Sequence, residues 1–317
     1  METPHENRNR SAGCETDIGR AVVTGASGYL GAALTRRLVA DGWRVAVVVR
    51  ERSRLDLLGD AAGRVTVHRC ADDLAALAAA LAEAPPDAAF HLAGHYVGAA
   101  GPADLAPLVE ANVAFTARLA EALAEAGTMR LVAAGTGWQH SGPGGLAERA
   151  PNGLYAATKQ AGEDILAHYA ANRGLSTATL LILDSYGPGD PRGKLMTRLA
   201  QIARSGDRLA MSPGGQRVGM THVDDIVAAF CAAERRLARG AERMPLESFV
   251  IAPAEFPTLR ELAARFAAVA GAPLAIDFGA LPYRDFEVME PLRGPALPGW
   301  TPRVALEDGI RELLAET

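Results

Sequence analysis

Arg20-Ala21-Val22-Val23-Thr24-Gly25-Ala26-Ser27-Gly28-Tyr29-Leu30-Gly31 is the stretch that decides the fold. A short apolar, β-branched run, three glycines three residues apart and then an amphipathic segment to Asp41 read as strand, tight turn and helix. Gly25 permits the turn, Gly28 lets the backbone approach a pyrophosphate at the helix N-terminus, and Gly31 allows close helix–strand packing. On this reading Thr24, Gly25, Ser27, Gly28, Tyr29 and Leu30 line a dinucleotide cofactor.

The next strand, Arg44 to Val49, ends at Arg50, where folds that prefer the unphosphorylated cofactor place an acid on the ribose hydroxyls. Arg50, Arg52 and Arg54 offer cations to a 2′-phosphate instead, so NADP(H) is expected over NAD(H). Alternation continues with a strand at Arg64 to Val67, a helix from about Asp73 to Glu83, a strand ending in Leu92, Ala93 and Gly94, one long helix from about Ala103 to Ala126, and a strand from Met129 to Ala134. Repeated strand–helix units predict an α/β, Rossmann-type, doubly wound parallel sheet. Ligands sit beyond the carboxyl ends of such strands, which places Leu92, Ala93 and Gly94 in the cleft and Asp72 or Asp73 near the adenine. His91 and His95 read first as packed or hydrogen-bonded histidines, with His95 also kept among the substrate contacts.

Leu154-Tyr155-Ala156-Ala157-Thr158-Lys159 specifies chemistry. On a helix, residues four apart share a face. At roughly 4 Å and an effective dielectric of about 20, an ammonium favours a phenolate by on the order of 4 kcal/mol, or about three pKa units. Lys159 is therefore expected to lower the Tyr155 pKa into the range of a general acid. Thr136, at the end of the preceding strand, is the candidate donor to a carbonyl oxygen that gains negative charge. Trp138, Gln139 and His140 follow it and are expected to face substrate; His140 is alternatively a second proton donor or a structural residue.

The chain has 317 residues and a net charge of −5, with 49% hydrophobic residues. No basic block points to nucleic acid, and no apolar run approaches the roughly 20 residues that span a membrane. The start, Met1 to Gly19, reads as a loose polar tail and not as a signal peptide. Cys14, Cys70 and Cys231 are widely spaced and odd in number, which suits a reducing, cytoplasmic setting. No metal site is expected.

Thr24 to Gly31, Asn112 in the long helix, Thr136 and Tyr155-x-x-x-Lys159 together resemble the extended short-chain dehydrogenase/reductase family. Tyr186-Gly187-Pro188-Gly189-Asp190, Thr221-His222-Val223-Asp224-Asp225 and Gly299-Trp300-Thr301-Pro302 agree, so the likeness runs over nearly the whole chain. Within the family, Gly135 to His140, Tyr155 to Ala161 and Asp184 to Lys194 are most similar to bacterial nucleotide-sugar 4-ketoreductases of the type that make CDP-abequose. The resemblance implies that Tyr155 protonates the substrate oxygen, that Lys159 lowers its pKa and holds the nicotinamide ribose, that Asn112 belongs to the cofactor site, and that two such chains form a homodimer. Two departures stand out: Asp184 occupies a position where many relatives have Asn, and Val218 one where many have Arg, with Arg217 one place off. Gly137-Trp138 replaces the acidic pair of the family's dehydratases, so the acid and base that dehydration needs are missing.

These features divide the chain into a tail (1–19), an NADP-binding domain with the Tyr/Lys pair (20–184) and a mainly substrate-binding lobe (185–317). In that lobe Arg192, Lys194, Arg198 and Arg217 are candidates for the phosphates of a nucleotide-diphosphate sugar, with Asp184 beside them. The expected activity is reduction of a nucleotide-linked 4-keto-6-deoxy sugar by NADPH. Its rivals are a nucleotide-sugar 4-epimerase with bound NAD, a reductase of small ketones or aldehydes, and a non-catalytic dinucleotide sensor.

Overall fold

The computed structural model describes residues 19–142, 145–240 and 245–316; the expected tail lies almost wholly outside them, Cys14 included. Six apolar segments, β1 (Arg20–Thr24), β2 (Arg44–Val49), β3 (Val65–Arg69), β4 (Ala88–His91), β5 (Arg130–Thr136) and β6 (Ser176–Ile182), run parallel in one sheet. With a seventh strand from the second half of the chain, β10 (Glu247–Ile251), the order is β10-β6-β5-β4-β1-β2-β3. Such strands are nearly continuous in Val, Leu and Ala because helices cover both faces. On one face α1 (Tyr29–Ala40) packs through Leu34 and Leu38. On the other, α2 (Leu74–Glu83), α4 (Phe115–Glu125) and α5 (Gly153–Arg173) pack through Leu77, Leu119 and Leu166. Chain order reverses between β1 and β4, so the cleft opens at their carboxyl ends.

The segment expected as one helix from Ala103 to Ala126 is helical throughout but changes pitch along its length. A 3-10 turn, Pro102–Asp104, leads into α3 (Leu105–Val109), a π-helical turn over Glu110–Ala114, and then α4. The wider turn carries Asn112, whose side chain bonds across to a neighbouring loop and out of the helical ladder.

Beyond Leu183 the chain serves two bodies. Two short parallel pairs, β7 (Asp184–Tyr186) with β9 (Met220–His222) and β8 (Leu209–Met211) with β11 (Ile276–Phe278), join α6 (Leu195–Ser205), α8 (Leu259–Ala270) and α9 (Leu306–Ala315) around Met196, Leu199, Leu262, Phe266 and Ile310. In contrast, α7 (Val223–Arg239) returns to pack on α1, and β10 (Glu247–Ile251) pairs with β6 as the edge of the main sheet. Asp225 on α7 fastens the closing segment: its carboxylate accepts the backbone N–H of Arg303 (2.9 Å) and Val304 (3.0 Å), and its carbonyl accepts Trp300 Nε1–H (2.9 Å).

Candidate active site

The glycine turn shows why each glycine is there. Gly25 has φ +76, and a β-carbon on it would lie 2.5 Å from Ala93 N and the Leu92 carbonyl carbon. A β-carbon on Gly31 would meet the Gly25 carbonyl oxygen at 2.1 Å, so only glycine lets α1 sit on the turn. Gly28 differs: it is exposed, has φ −95 as the helix N-cap, and its nearest obstacle is Gly25 O at 3.4 Å. No side chain caps α1, which leaves its first N–H groups facing the cleft, the arrangement that receives a phosphate. Ser27 and Leu30 are half-buried at this edge.

Thr24 is directed inward. Its hydroxyl accepts Ala93 N–H (3.2 Å) and donates to His91 Nδ1 (2.7 Å). His91 Nε2 lies 2.9 Å from Thr116 Oγ1, which donates to the Asn112 carbonyl (2.9 Å). Each hydroxyl has one proton to give, so the chain of bonds closes only with His91 carrying its proton on Nε2. Burial and the nearby Lys159 charge lower its pKa to about 3, which makes His91 a neutral structural histidine. Asn112 pins the next loop by accepting His95 N–H (2.9 Å) and donating to His95 O (3.1 Å) and Thr158 Oγ1 (2.9 Å). It thereby joins the end of β4 to the helix that carries Tyr155 and Lys159.

At the far end of the cleft Arg50 is exposed. Its carbonyl, with those of Glu51 and Ser53, accepts from Arg69 Nη1 (3.3, 2.6 and 3.2 Å), so Arg69, which sequence reasoning missed, shapes this loop. Arg54 is also exposed and pairs with Asp56 (2.7 Å). Of the two aspartates, Asp73 caps α2 by accepting the N–H of Ala75 and Ala76, and Asp72 is exposed beside it.

Tyr155 and Lys159 project from one face of α5 and keep a little surface open to the cleft. The rings of Tyr96 and Trp138 meet the Tyr155 ring edge-to-face at centroid distances of 5.0 and 6.3 Å. This corrects the expected acidification: withdrawal from water, then Tyr96, push the Tyr155 phenol upward, with Arg192 the opposing charge, and Lys159 is not among the groups acting on it. The four-residue spacing supplied the Coulomb attraction but not the desolvation of a phenolate among aromatic rings, and desolvation wins. The phenol therefore stays protonated, the form a proton donor to a carbonyl needs. Lys159 is itself lowered to about 8 by burial, opposed by Glu163.

Thr136 Oγ1 accepts Trp138 N–H (3.3 Å), so its own proton is free to donate. Gln139 and His140 turn away from the cleft, contrary to expectation. Gln139 is fully buried, with Oε1 on Thr136 N–H (2.8 Å) and Nε2 on Glu163 (2.6 Å). His140, 8% exposed, gives Nδ1–H to the Glu148 carbonyl (3.0 Å). Both amide and ring are spent on shaping the loop, and Trp138 alone of the three faces Tyr155.

The second lobe closes the cleft with cations that are already paired. Lys194 Nζ lies 2.7 Å from Asp184 Oδ1 and 5.3 Å from the Tyr96 ring centroid. Arg192 grips the buried Asp190 through two 2.6 Å bonds, reaches Ser185 Oγ (3.0 Å) and stacks 4.7 Å from the Tyr29 ring. Tyr29 therefore links the glycine turn to the lobe by its ring, and its buried hydroxyl has no hydrogen-bond partner. Arg217 is engaged elsewhere, on Phe256 O (2.8 Å) and Glu290 (3.6 Å). Tyr96, whose ring meets those of Trp138 and Tyr155, is a further site residue that sequence reasoning missed. One signal was available: of 32 basic residues only Lys159 and Lys194 are lysines, and both lie here. Among the described residues no cluster of His, Cys, Asp and Glu could hold a metal, and no helix is long and apolar enough to cross a membrane.

The chain is 32% identical to a 2-alkyl-3-oxoalkanoate reductase of Stenotrophomonas maltophilia, over 94% of this chain and 99% of that protein. It is 30% identical to a UDP-glucose 4-epimerase of Mycolicibacterium smegmatis (92% and 96%), and 28% to a CDP-abequose synthase of Yersinia pseudotuberculosis (66% and 71%). The solved structure of MoeE5 in complex with UDP-glucose and NAD superposes with a TM-score of 0.77 at 25% identity, covering 93% of this chain and 97% of that one. Residues 21–251 match the NAD dependent epimerase/dehydratase family. With that match over most of its length, the chain belongs to the NAD dependent epimerase/dehydratase family, the extended short-chain dehydrogenases/reductases, and is an enzyme of that family.

Proposed function

We propose that the protein reduces the 4-keto group of a nucleotide-linked 4-keto-6-deoxyhexose with NADPH. The observation that carries this reading is the Thr136 hydroxyl, which accepts Trp138 N–H and keeps its own proton to give, on a loop whose Trp138 ring meets the Tyr155 ring: each hydroxyl is a donor for a developing oxyanion. The cofactor fits the residues present. The uncapped N-terminus of α1 and the exposed Gly28 would hold the pyrophosphate, Asp72 the adenine, Arg50 the 2′-phosphate, and Lys159 the nicotinamide ribose. Bound there, NADPH supplies the hydride. Tyr155 gives its proton to the substrate oxygen, Thr136 holds that oxygen in place, and Lys159 holds the nicotinamide ribose beside them. Arg50, an arginine where NAD-selective relatives of this fold place an acid, supports the reductase over an epimerase that recycles bound NAD. Similarity to the CDP-abequose synthase supports the sugar.

A second reading, reduction of an apolar ketone, is favoured by a separate observation. Lys194 and Arg192 are neutralised by Asp184 and Asp190, while Tyr96 (49% exposed) and Phe286 (77%) present apolar surface, Phe286 being held at the start of α5 by Asn152. The exposed Leu105, Val109 and Leu154 beside α5 support a homodimer, which light scattering tests. The deciding experiment is NADPH oxidation with CDP-, dTDP- and GDP-linked 4-keto-6-deoxy sugars, UDP-galactose and a 2-alkyl-3-oxoalkanoate. Stoichiometric oxidation with one sugar nucleotide establishes the first reading. Oxidation only with the oxoalkanoate establishes the second, and interconversion of the UDP sugar without oxidation refutes both.

A further inference from the structure

Beside Lys159, α5 and the sheet line a small cavity. Lys159 and Glu163 of α5, His91 of β4, Asn112 of the π turn, Gln139 after β5 and Thr179 of β6 are among its walls. It has room for about one water molecule. The hydroxyl of Thr179, a residue 2% exposed, is buried there without a hydrogen-bond partner in the protein.

The Glu163 carboxylate on this wall is clamped from two sides. Its Oε2 accepts Gln139 Nε2–H (2.6 Å) and its Oε1 accepts the Ser248 hydroxyl of β10 (2.6 Å). The amide of Gln139 cannot turn over, because its oxygen is held by the backbone N–H of Thr136 (2.8 Å). One rigid side chain therefore ties the carboxylate to the strand end that presents the Thr136 hydroxyl.

We propose that Glu163 is a positioning residue for Lys159: its carboxylate, clamped by Gln139 and Ser248 at the wall of the water-sized cavity, is the counter-charge that keeps Lys159 an ammonium while the site works. The surroundings leave this task to Glu163. Of the elements facing Lys159, β4 brings the neutral His91, the π turn and α4 bring Asn112 and Thr116, the loop after β5 brings Gln139, and β6 brings Thr179, none of them charged. On α5 itself Tyr155 is protonated, and Arg192 of the second lobe acts on Tyr155. Burial draws Lys159 down to about 8 and Glu163 is the charge that opposes it. Without Glu163 the ammonium would be lost at lower pH.

The inference rests on Lys159 serving the proposed reaction, but its test needs no substrate. The chain holds two lysines, so protein labelled with ε-13C-lysine gives two resonances, and Lys194→Arg assigns them. In the wild type the Lys159 signal is expected to titrate with a midpoint near 8. In Glu163→Gln that midpoint is expected to fall by at least half a unit, about a threefold change in the protonation equilibrium. In parallel, the alkaline limb of kcat/KM moves down while activity at pH 6 stays within about twofold. A midpoint that is unchanged or higher in Glu163→Gln overturns the proposal. So does a uniform loss of activity at every pH with an unchanged midpoint, which marks a merely structural residue. If that variant does not fold, Ser248→Ala, which releases one oxygen of the carboxylate from its clamp, is read instead, and an unchanged Lys159 midpoint there overturns the proposal on its own.

Discussion

Replacing Gly28 and Gly31 in turn by alanine separates the part of the glycine turn that builds the fold from the part that receives the cofactor. At Gly31 the added β-carbon lands 2.1 Å from Gly25 O and 2.5 Å from Gly25 C, both backbone atoms that cannot rotate away. Unstrained contacts need about 3.5 Å, so α1 must retreat by about 1 Å. Such overpacking costs roughly 1–3 kcal/mol, near the upper end for a backbone obstacle. The better helix propensity of alanine returns about 1 kcal/mol. The net loss is therefore about 1–2 kcal/mol, a fall in Tm of roughly 2–8 °C. At Gly28 the β-carbon meets nothing nearer than 3.4 Å and the backbone is in an ordinary region, so only the N-cap preference is lost, about 1 kcal/mol or less. The new methyl would stand over the free N–H groups of α1. Thermal melts and fluorescence titration with NADPH check both variants. Gly28→Ala is expected to melt within about 4 °C of wild type yet to bind NADPH at least about tenfold more weakly, and Gly31→Ala to lose in both. Wild-type NADPH affinity in Gly28→Ala would refute the placement of the pyrophosphate at this turn.

Three further outcomes follow from the site. Tyr155→Phe removes the proton donor and is expected to lower kcat by about 10²–10⁴-fold while leaving NADPH affinity unchanged; a sensor would be indifferent to it. Arg50→Asp is expected to invert the ratio of NADPH to NADH affinity, and an unchanged ratio would remove Arg50 from the cofactor site. The free enzyme's kcat/KM is expected to fall as pH rises through about 8, because Lys159, drawn down from its usual range, is charged below that pH and neutral above it. A flat profile from pH 6 to 10 would show that the Lys159 charge is not required.

The glycine turn, the parallel sheet and the placing of Tyr155 and Lys159 on one helix were legible because they depend on short-range pattern and on a known helical spacing. Side-chain direction was not. Gln139 and His140 stand next to a site residue in the chain, but the Thr136 N–H and the Glu148 carbonyl needed partners, and those needs turned both side chains inward. The phosphate cations were counted without their anions, although Asp190 lies two residues from Arg192 and the two share a bidentate contact. Tyr96 sits among small residues in a loop with no periodicity, so nothing local pointed it at Tyr155. The edge strand β10 escaped notice for a similar reason: the five residues Glu247–Ile251 are too short for a pattern, and only pairing with β6 makes them a strand. The Tyr155 phenol failed through an omitted opposing effect, since spacing reveals attraction between charges but not how thoroughly a fold excludes water.

In the proposed reaction hydride moves from NADPH to a keto carbon of a sugar nucleotide while Tyr155 supplies the proton. The most direct test uses NADPH deuterated at the reactive nicotinamide carbon together with the 4-keto-6-deoxy sugar nucleotide that supports oxidation, with the product read by NMR. One deuterium at the former keto carbon for each NADPH consumed is the predicted result. A product that carries no label, with NADPH unchanged, would contradict it.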